Sequence, residues 1–232
     1  MKIKVFVFCI LCIAPYLGAD IHLQGGIESY MGSNNLFTLT PWIGLRVGLF
    51  KSTSLLLKYY NHNISFNYTN VNDEETERKA HLSNFTVALY TQKWGHDFYS
   101  AISYFSGTDS YSALALDTGT ELKITKRIYL DVGIYLINEK SILWYPNEAV
   151  RNIFLYSVKG GVKFKITKWL SICPKIYAYR NSEDVNAGTY SMSAIINPMD
   201  PIYISLIYFK YHESAQYRFS GDYISIGLNF YY

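Results

Sequence analysis

Residues 222–232 read DYISIGLNFYY. Ile224, Ile226, Leu228, Phe230 and Tyr232 fall on alternate positions, with Ser225, Gly227 and Asn229 between them. Successive side chains of a strand point to opposite faces, so this stretch has one apolar face and one small, polar face.

The same period returns along the chain. In residues 37–49, Phe37, Leu39, Ile43, Leu45, Val47 and Leu49 share one side, and Thr38, Thr40, Gly44, Arg46 and Gly48 the other. Ile128, Leu130, Val132, Ile134 and Leu136 oppose Tyr129, Asp131, Gly133 and Tyr135. Phe154, Tyr156, Val158, Val162, Phe164 and Ile166 oppose Ser157, Lys159, Gly161, Lys163 and Lys165. Extending the reading predicts strands at 20–31, 36–50, 55–68, 80–94, 98–107, 113–125, 127–138, 153–166, 169–179, 189–197, 202–212 and 222–232. Short turns follow the even strands: KSTS, WGHD, TK at 125–126, TK at 167–168, and NPMDP. Longer polar loops follow most odd ones: TNVNDEETERK, EKSILWYPNEAVRN, RNSEDVNAGT and ESAQYRFSGD, with GSNN a short exception.

Composition fits a phase boundary. The 232 residues include 23 Tyr, and aromatic residues make up 17%, the same share as charged ones. Tyr suits an interface between apolar and wet surroundings. A formal charge of +3 with no basic tract gives no case for nucleic-acid binding.

Residues 1–19 read as an export signal: Lys2 and Lys4 precede an apolar run from Val5 to Ile13, and Gly18-Ala19 offers a cut before Asp20. Its removal would take Cys9 and Cys12, leaving Cys173 as the sole thiol and no intramolecular disulfide. Beyond it no apolar run approaches the ~18 residues of a spanning helix.

A soluble β-sandwich also alternates. Here, however, the apolar face is uniformly greasy, while the other is rich in Gly, Thr, Ser, Asn and Tyr. That is lipid outside and a polar lumen inside, and in hydrocarbon an open sheet edge is untenable. The expected fold is all-β: a closed up-and-down antiparallel transmembrane barrel over 20–232, of about 12 strands, with short periplasmic turns and longer extracellular loops. The last strand also resembles the terminal signature of bacterial outer-membrane β-barrel proteins, matched by Ser225, Gly227, Phe230 and Tyr232. The resemblance implies residence in the bacterial outer membrane, contact with its lipid, and recognition by the barrel insertion machinery.

Function is read from the lumen. Its expected lining includes Arg46, Asp117, Glu121, Lys123, Asp131, Lys159, Lys163, Lys165 and Lys175. Acidic residues fall on strands six and seven and basic ones on eight and nine. Opposed charged walls would order ions in a pore, whereas pairing between neighbouring strands, such as Asp131 with Lys163, would fill the interior. A small porin-like channel for ions or hydrophilic solutes is the leading expectation. The alternative is a structural barrel or export-complex subunit with a plugged lumen, working through a protein partner at its loops. A third reading is an outer-leaflet lipid hydrolase built from Ser214, His212 and Asp222. It is similar to the His-x-Ser arrangement of outer-membrane phospholipases and lipid A deacylases, although Ala215 and Gln216 depart from the usual Asn after Ser. His62 and His81 flank the acidic run of Asp73, Glu74, Glu75 and Glu77, whose spacing matches no metal motif, and a solvated loop is expected there. The apolar stretch SILWYPNEAV is expected to fold into the lumen or meet a partner. No metal or other cofactor is expected.

Overall fold

The computed structural model describes residues 20–69, 72, 74–140, 150, 152–213 and 220–231. The export segment, Asp73, most of SILWYPNEAV, Ser214 and Tyr232 therefore lie outside the described residues. Twelve strands follow in chain order: β1 (Ile21–Gly32), β2 (Leu36–Phe50), β3 (Thr53–Thr69), β4 (Glu75–Lys93), β5 (His96–Gly107), β6 (Ser112–Lys123), β7 (Ile128–Lys140), β8 (Asn152–Lys165), β9 (Leu170–Asn181), β10 (Asn186–Met199), β11 (Ile202–Glu213) and β12 (Gly221–Tyr231). Each pairs antiparallel with its sequence neighbours, and β1 pairs with β12, so the sheet closes as the alternation predicted.

Closure pairs the first strand with the last, so the sheet has no free edge strand, and leaves the two faces to different solvents. Outward stand Ile27 and Met31 on β1, Ile43 on β2, Ile102 on β5, Leu114 on β6, Val158 on β8, and Ile224, Ile226 and Leu228 on β12, all exposed. The seam depends on two glycines. A Cβ on Gly25 would sit 2.5 Å from the Phe230 ring, which lies across it on the outside, and one on Gly32 would collide with Tyr223 on the inside. On the lumen side Trp42 Nε1 donates to Asn229 Oδ1 at 3.2 Å, tying β2 to β12 across β1.

The connections divide the barrel into two ends. At one, which also carries Ile21 and Tyr231, residues 51–52, 94–95, 124–127, 166–169 and 200–201 turn the chain; this is the turn end. The turns at 125 and 167 share one chemistry: Thr125 Oγ1 accepts from the N–H of Arg127 and Ile128, and Thr167 Oγ1 accepts from that of Trp169. At the opposite, loop end, several segments expected as loops are strand. Residues 75–79 of the acidic run belong to β4, where Glu75, Glu77 and Lys79 pair with Thr69, Asn67 and Ser65. RNSEDVNAGT contracts to a turn at 182–185 between β9 and β10. Both corrections have one cause: polar residues on an outward face beyond the lipid look like loop but hydrogen-bond as ladder.

β3 and β4 are the longest strands, 17 and 19 residues, and they change character midway. Near the turn end, outward positions carry Leu55, Leu57, Tyr59, Phe85, Val87 and Leu89. Past Tyr59 the outward residues are Asn61, Asn63, Ser65 and Asn67, and the inward ones are Ile64, Phe66 and Tyr68. The ladder between them runs without a register shift, so the chain does not turn over. The apolar phase changes because, past Tyr59, the outward face is polar and the inner face packs into a core.

Candidate functional site: the barrel lumen

At the turn end the lumen opens into a cavity of about 880 Å³. Its walls include Arg46 on β2, Tyr90 on β4, Tyr99 on β5, Glu121 on β6, Asp131 on β7 and Lys163 on β8, so it reaches across the barrel. These side chains come from inward positions of the ladders, where Arg46 neighbours Leu56, Tyr90 faces Tyr99, and Glu121 faces Asp131.

Charge in this half is organised on one wall. Lys159 on β8 holds Asp117 on β6 at 2.7 Å, Lys163 holds Glu121 at 2.9 Å, and Lys175 on β9 is paired with Asp131 on β7. Acidic strands six and seven lie beside basic strands eight and nine, so the opposed-wall expectation is corrected, and so is the Asp131–Lys163 partnership. Each lysine instead reaches past one strand. Glycine makes two of these crossings possible: a Cβ on Gly133 would lie 2.6 Å from Lys159 Cε, and one on Gly161 would lie 2.6 Å from Lys175 Cγ. The stems of Lys159 and Lys175 thus pass close over bare backbone. Tyr99 adds a hydrogen bond to Asp117 at 3.1 Å and a ring face 4.9 Å from Lys159 Nζ. Lys165 donates to the Tyr129 hydroxyl at 3.0 Å, and Lys123 stands at the mouth, exposed.

Across the lumen, two cations have no carboxylate within ion-pair distance among the described residues. Arg46 Nε donates to Ser54 Oγ at 2.9 Å, with its guanidinium 5.7 Å from the Tyr90 ring centre. Lys58, one step deeper, lies 4.3 Å from the Trp42 ring centre. The acidic side chains of the β6–β9 wall are matched by lysines, while on the opposite side Glu28, inward on β1, lies within electrostatic reach of Lys58, and Asp20 and Asp97 share the cavity wall with Arg46.

The loop half is built differently. Ile64, Phe66, Ala80, Leu82, Tyr111 and Ala113 form a buried apolar cluster, with Leu36, Tyr68, Phe105 and Ile137 packed against it. Phe66 is 0% exposed although it points into the barrel. On the remaining arc Phe209 and Tyr223 stack at 4.9 Å, and Tyr179 meets Tyr177 and Tyr211 at 6.1 and 6.3 Å. Sequence reasoning passed over this layer. The phase change within β3, from Leu55, Leu57 and Tyr59 to Ile64, Phe66 and Tyr68, was the available signal.

The remaining sequence candidates lie outside the lumen or apart from one another on its wall, and His212 and Asp222 share the outward face of β11 and β12. His212 faces outward, on the side of Leu206 and Tyr208. Asp222 pairs in register with Lys210, and its carboxylate accepts from the Tyr208 hydroxyl at 2.5 Å, so the third member of the hydrolase set is engaged away from His212. Ser214 lies outside the described residues. His62 points inward, with Nδ1 3.0 Å from Thr40 Oγ1, while His81 points outward opposite Asn63, so no single ion could reach both. Ser225 and Gly227 face the lumen and Phe230 faces outward.

No protein-family model matches the chain. No curated protein matches it either. Solved structures do. An outer membrane channel from Pseudomonas putida F1 superposes with a TM-score of 0.64 at 7% identity, over 92% of this chain and 94% of that one. The β domain of the Bordetella autotransporter BrkA gives 0.58 at 9% identity, covering 91% and 98%. The KdgM porin gives 0.57 at 9% identity, covering 89% and 98%. Channels and an autotransporter domain thus share one scaffold with this chain, and likeness at such identity shows the fold: a β-barrel of the outer-membrane type.

Proposed function

We propose that this chain is a small pore of the bacterial outer membrane, passing ions or small hydrophilic solutes through its lumen, with the turn end in the periplasm and the loop end outside. The carrying observation is the cavity of about 880 Å³ at the turn end, which reaches across the barrel from Arg46 to Lys163 between polar and charged walls. Fold likeness alone would not choose, since barrels host many activities. Ser225, Gly227 and Phe230 support handling by the insertion machinery, and the exposed apolar belt supports contact with membrane lipid.

Arg46 stands in the cavity wall with no carboxylate within ion-pair distance among the described residues, and on that ground we read the pore as favouring anions. In a planar bilayer with asymmetric salt, the refolded protein should give discrete current steps with a reversal potential on the anion side. Arg46→Ala should move that potential toward zero without abolishing the steps. A silent bilayer containing folded, inserted protein would sink this reading. It would favour the second one, a plugged barrel acting through its loops, which the packed layer at the loop end supports.

A further inference from the structure

The four residues Lys-Ile-Thr-Lys occur twice, at 123–126 and at 165–168, and both copies turn the chain at the same end of the barrel. The two turns have one build. The N–H groups of Ile124 and Thr125 donate to the Ile128 carbonyl at 3.0 and 3.1 Å, and those of Ile166 and Thr167 donate to the Leu170 carbonyl at 3.0 and 3.2 Å. They are also neighbours: β7 pairs with β8, and the Lys165 N–H donates to the Arg127 carbonyl at 2.8 Å. Each copy continues the outward parity of its strand with an exposed isoleucine, Ile124 after Leu122 and Ile166 after Phe164.

Charge in this sector has one sign. Residues 122–130 and 162–171 contain five lysines and Arg127, and no Asp or Glu. Lys163 is engaged by Glu121 and Lys165 by the Tyr129 hydroxyl. Lys126, Arg127 and Lys168 are exposed, and no carboxylate lies within ion-pair distance of them among the described residues. Indole rings stand among the cations. Trp169, 53% exposed, closes the second copy, and Trp94 on the adjoining turn lies 4.3 Å from Lys93 Nζ at its ring centre. That adjoining turn is tied to β6 by His96 Nδ1, which accepts from the Lys123 N–H at 3.0 Å. The turns at 51–52 and 200–201, elsewhere on the ring, hold Lys51 and Asp200 and so carry no such excess.

Cations on hydrogen-bonded turns at the rim of an apolar belt, with Trp beside them, suit the level where lipid tails give way to headgroups. Positive charge that the protein does not neutralise draws anionic lipid there. An acidic soluble protein could meet the same cations, but it would leave Ile124 and Ile166 uncovered on the outward face. We infer that the paired Lys-Ile-Thr-Lys turns form a site for an anionic phospholipid, its phosphate held by Lys126, Arg127 and Lys168 and its chains lying against Ile124 and Ile166. The inference rests on the turn end lying at a membrane interface and not on conduction. A silent bilayer would remove the pore and leave this site standing.

Refolding into phosphatidylcholine vesicles, with and without phosphatidylglycerol, tests it. The temperature at which heat-shifted gel mobility is lost should rise by several degrees with phosphatidylglycerol, and the rise should shrink as salt is added. A variant combining Lys126→Gln, Arg127→Gln and Lys168→Gln should lose most of that rise. One combining Lys51→Gln, Lys79→Gln and Lys210→Gln, which removes the same charge elsewhere, should keep it. No rise in the unmodified protein, or equal loss in both variants, would overturn the site. Inorganic phosphate added to phosphatidylcholine vesicles should have no effect; a rise from phosphate alone would overturn the lipid as the ligand. A second measurement needs no variant to refold: brominated phosphatidylglycerol should quench the Trp fluorescence of the unmodified protein more than brominated phosphatidylcholine at equal content. Equal quenching would overturn the site as well.

Discussion

The two halves of the lumen share twelve strands and treat polarity in opposite ways. In the turn half, lysines and carboxylates line a cavity of about 880 Å³ and neutralise one another along the wall. In the loop half, Ile64, Phe66, Leu82 and Tyr111 pack into a buried apolar cluster on the arc from β2 to β7. Outside, the order reverses: the lipid-facing belt covers the turn half of β3 and β4, while Asn61, Asn63 and Ser65 cover the loop half. A strand has one apolar face at a time, and which face depends on the solvent behind it. Within lipid the sheet holds its greasy side out and can keep charge inside. Beyond lipid it can bury apolar groups only inward, so a barrel protruding from the membrane tends to close over its own lumen.

The contrast can be broken most forcefully by placing charge in the loop half. Leu82→Lys would put an ammonium among the buried apolar side chains of Ile64, Phe66 and Ala80, costing about 4 kcal/mol or enough to prevent refolding. Urea titration of vesicle-inserted protein, followed by Trp fluorescence, should show a much lower midpoint. A smaller loss is expected where charge already has its partner: Lys175→Met strands the Asp131 carboxylate and should cost about 2 kcal/mol by the same titration. Adding Asp131→Leu should recover most of it, because removing both partners leaves nothing unpaired. The weakest effect belongs to the open mouth. Gln92 donates to Asp97 at 2.9 Å in an exposed position, so Gln92→Ala should shift stability by no more than about 0.5 kcal/mol. A Gln92 effect as large as that of Lys175 would mean that the turn half is not hydrated as its cavity implies.

Much of the fold was legible. Twelve alternating segments, short turns after even strands and a uniformly greasy face opposite a polar, Gly- and Tyr-rich one together predict a closed barrel, and the strands lie within a few residues of their expected positions apart from the earlier start of β4 at Glu75. The inward positions of Lys159, Lys163 and Lys175 follow from parity alone. Their partners do not. Neighbouring strands lie about 4.8 Å apart, so a contact two strands away spans about 10 Å and depends on what stands between. Gly133 and Gly161 provide bare backbone there, and no local pattern reveals which lysine crosses them. The acidic run at 74–79 misled for a related reason: composition reports solvent, and strand residues above a membrane see the same solvent as a loop.

By itself, then, the chain's period-two pattern determined that strands form, how many there are, and which side of each is greasy in lipid, because alternation is a local property of the backbone. Only the closed barrel decided which charges neutralise one another and which inward side chains pack together at the loop end. Those depend on register and on side chains meeting from separate strands, from residues as distant as Leu36 and Ile137.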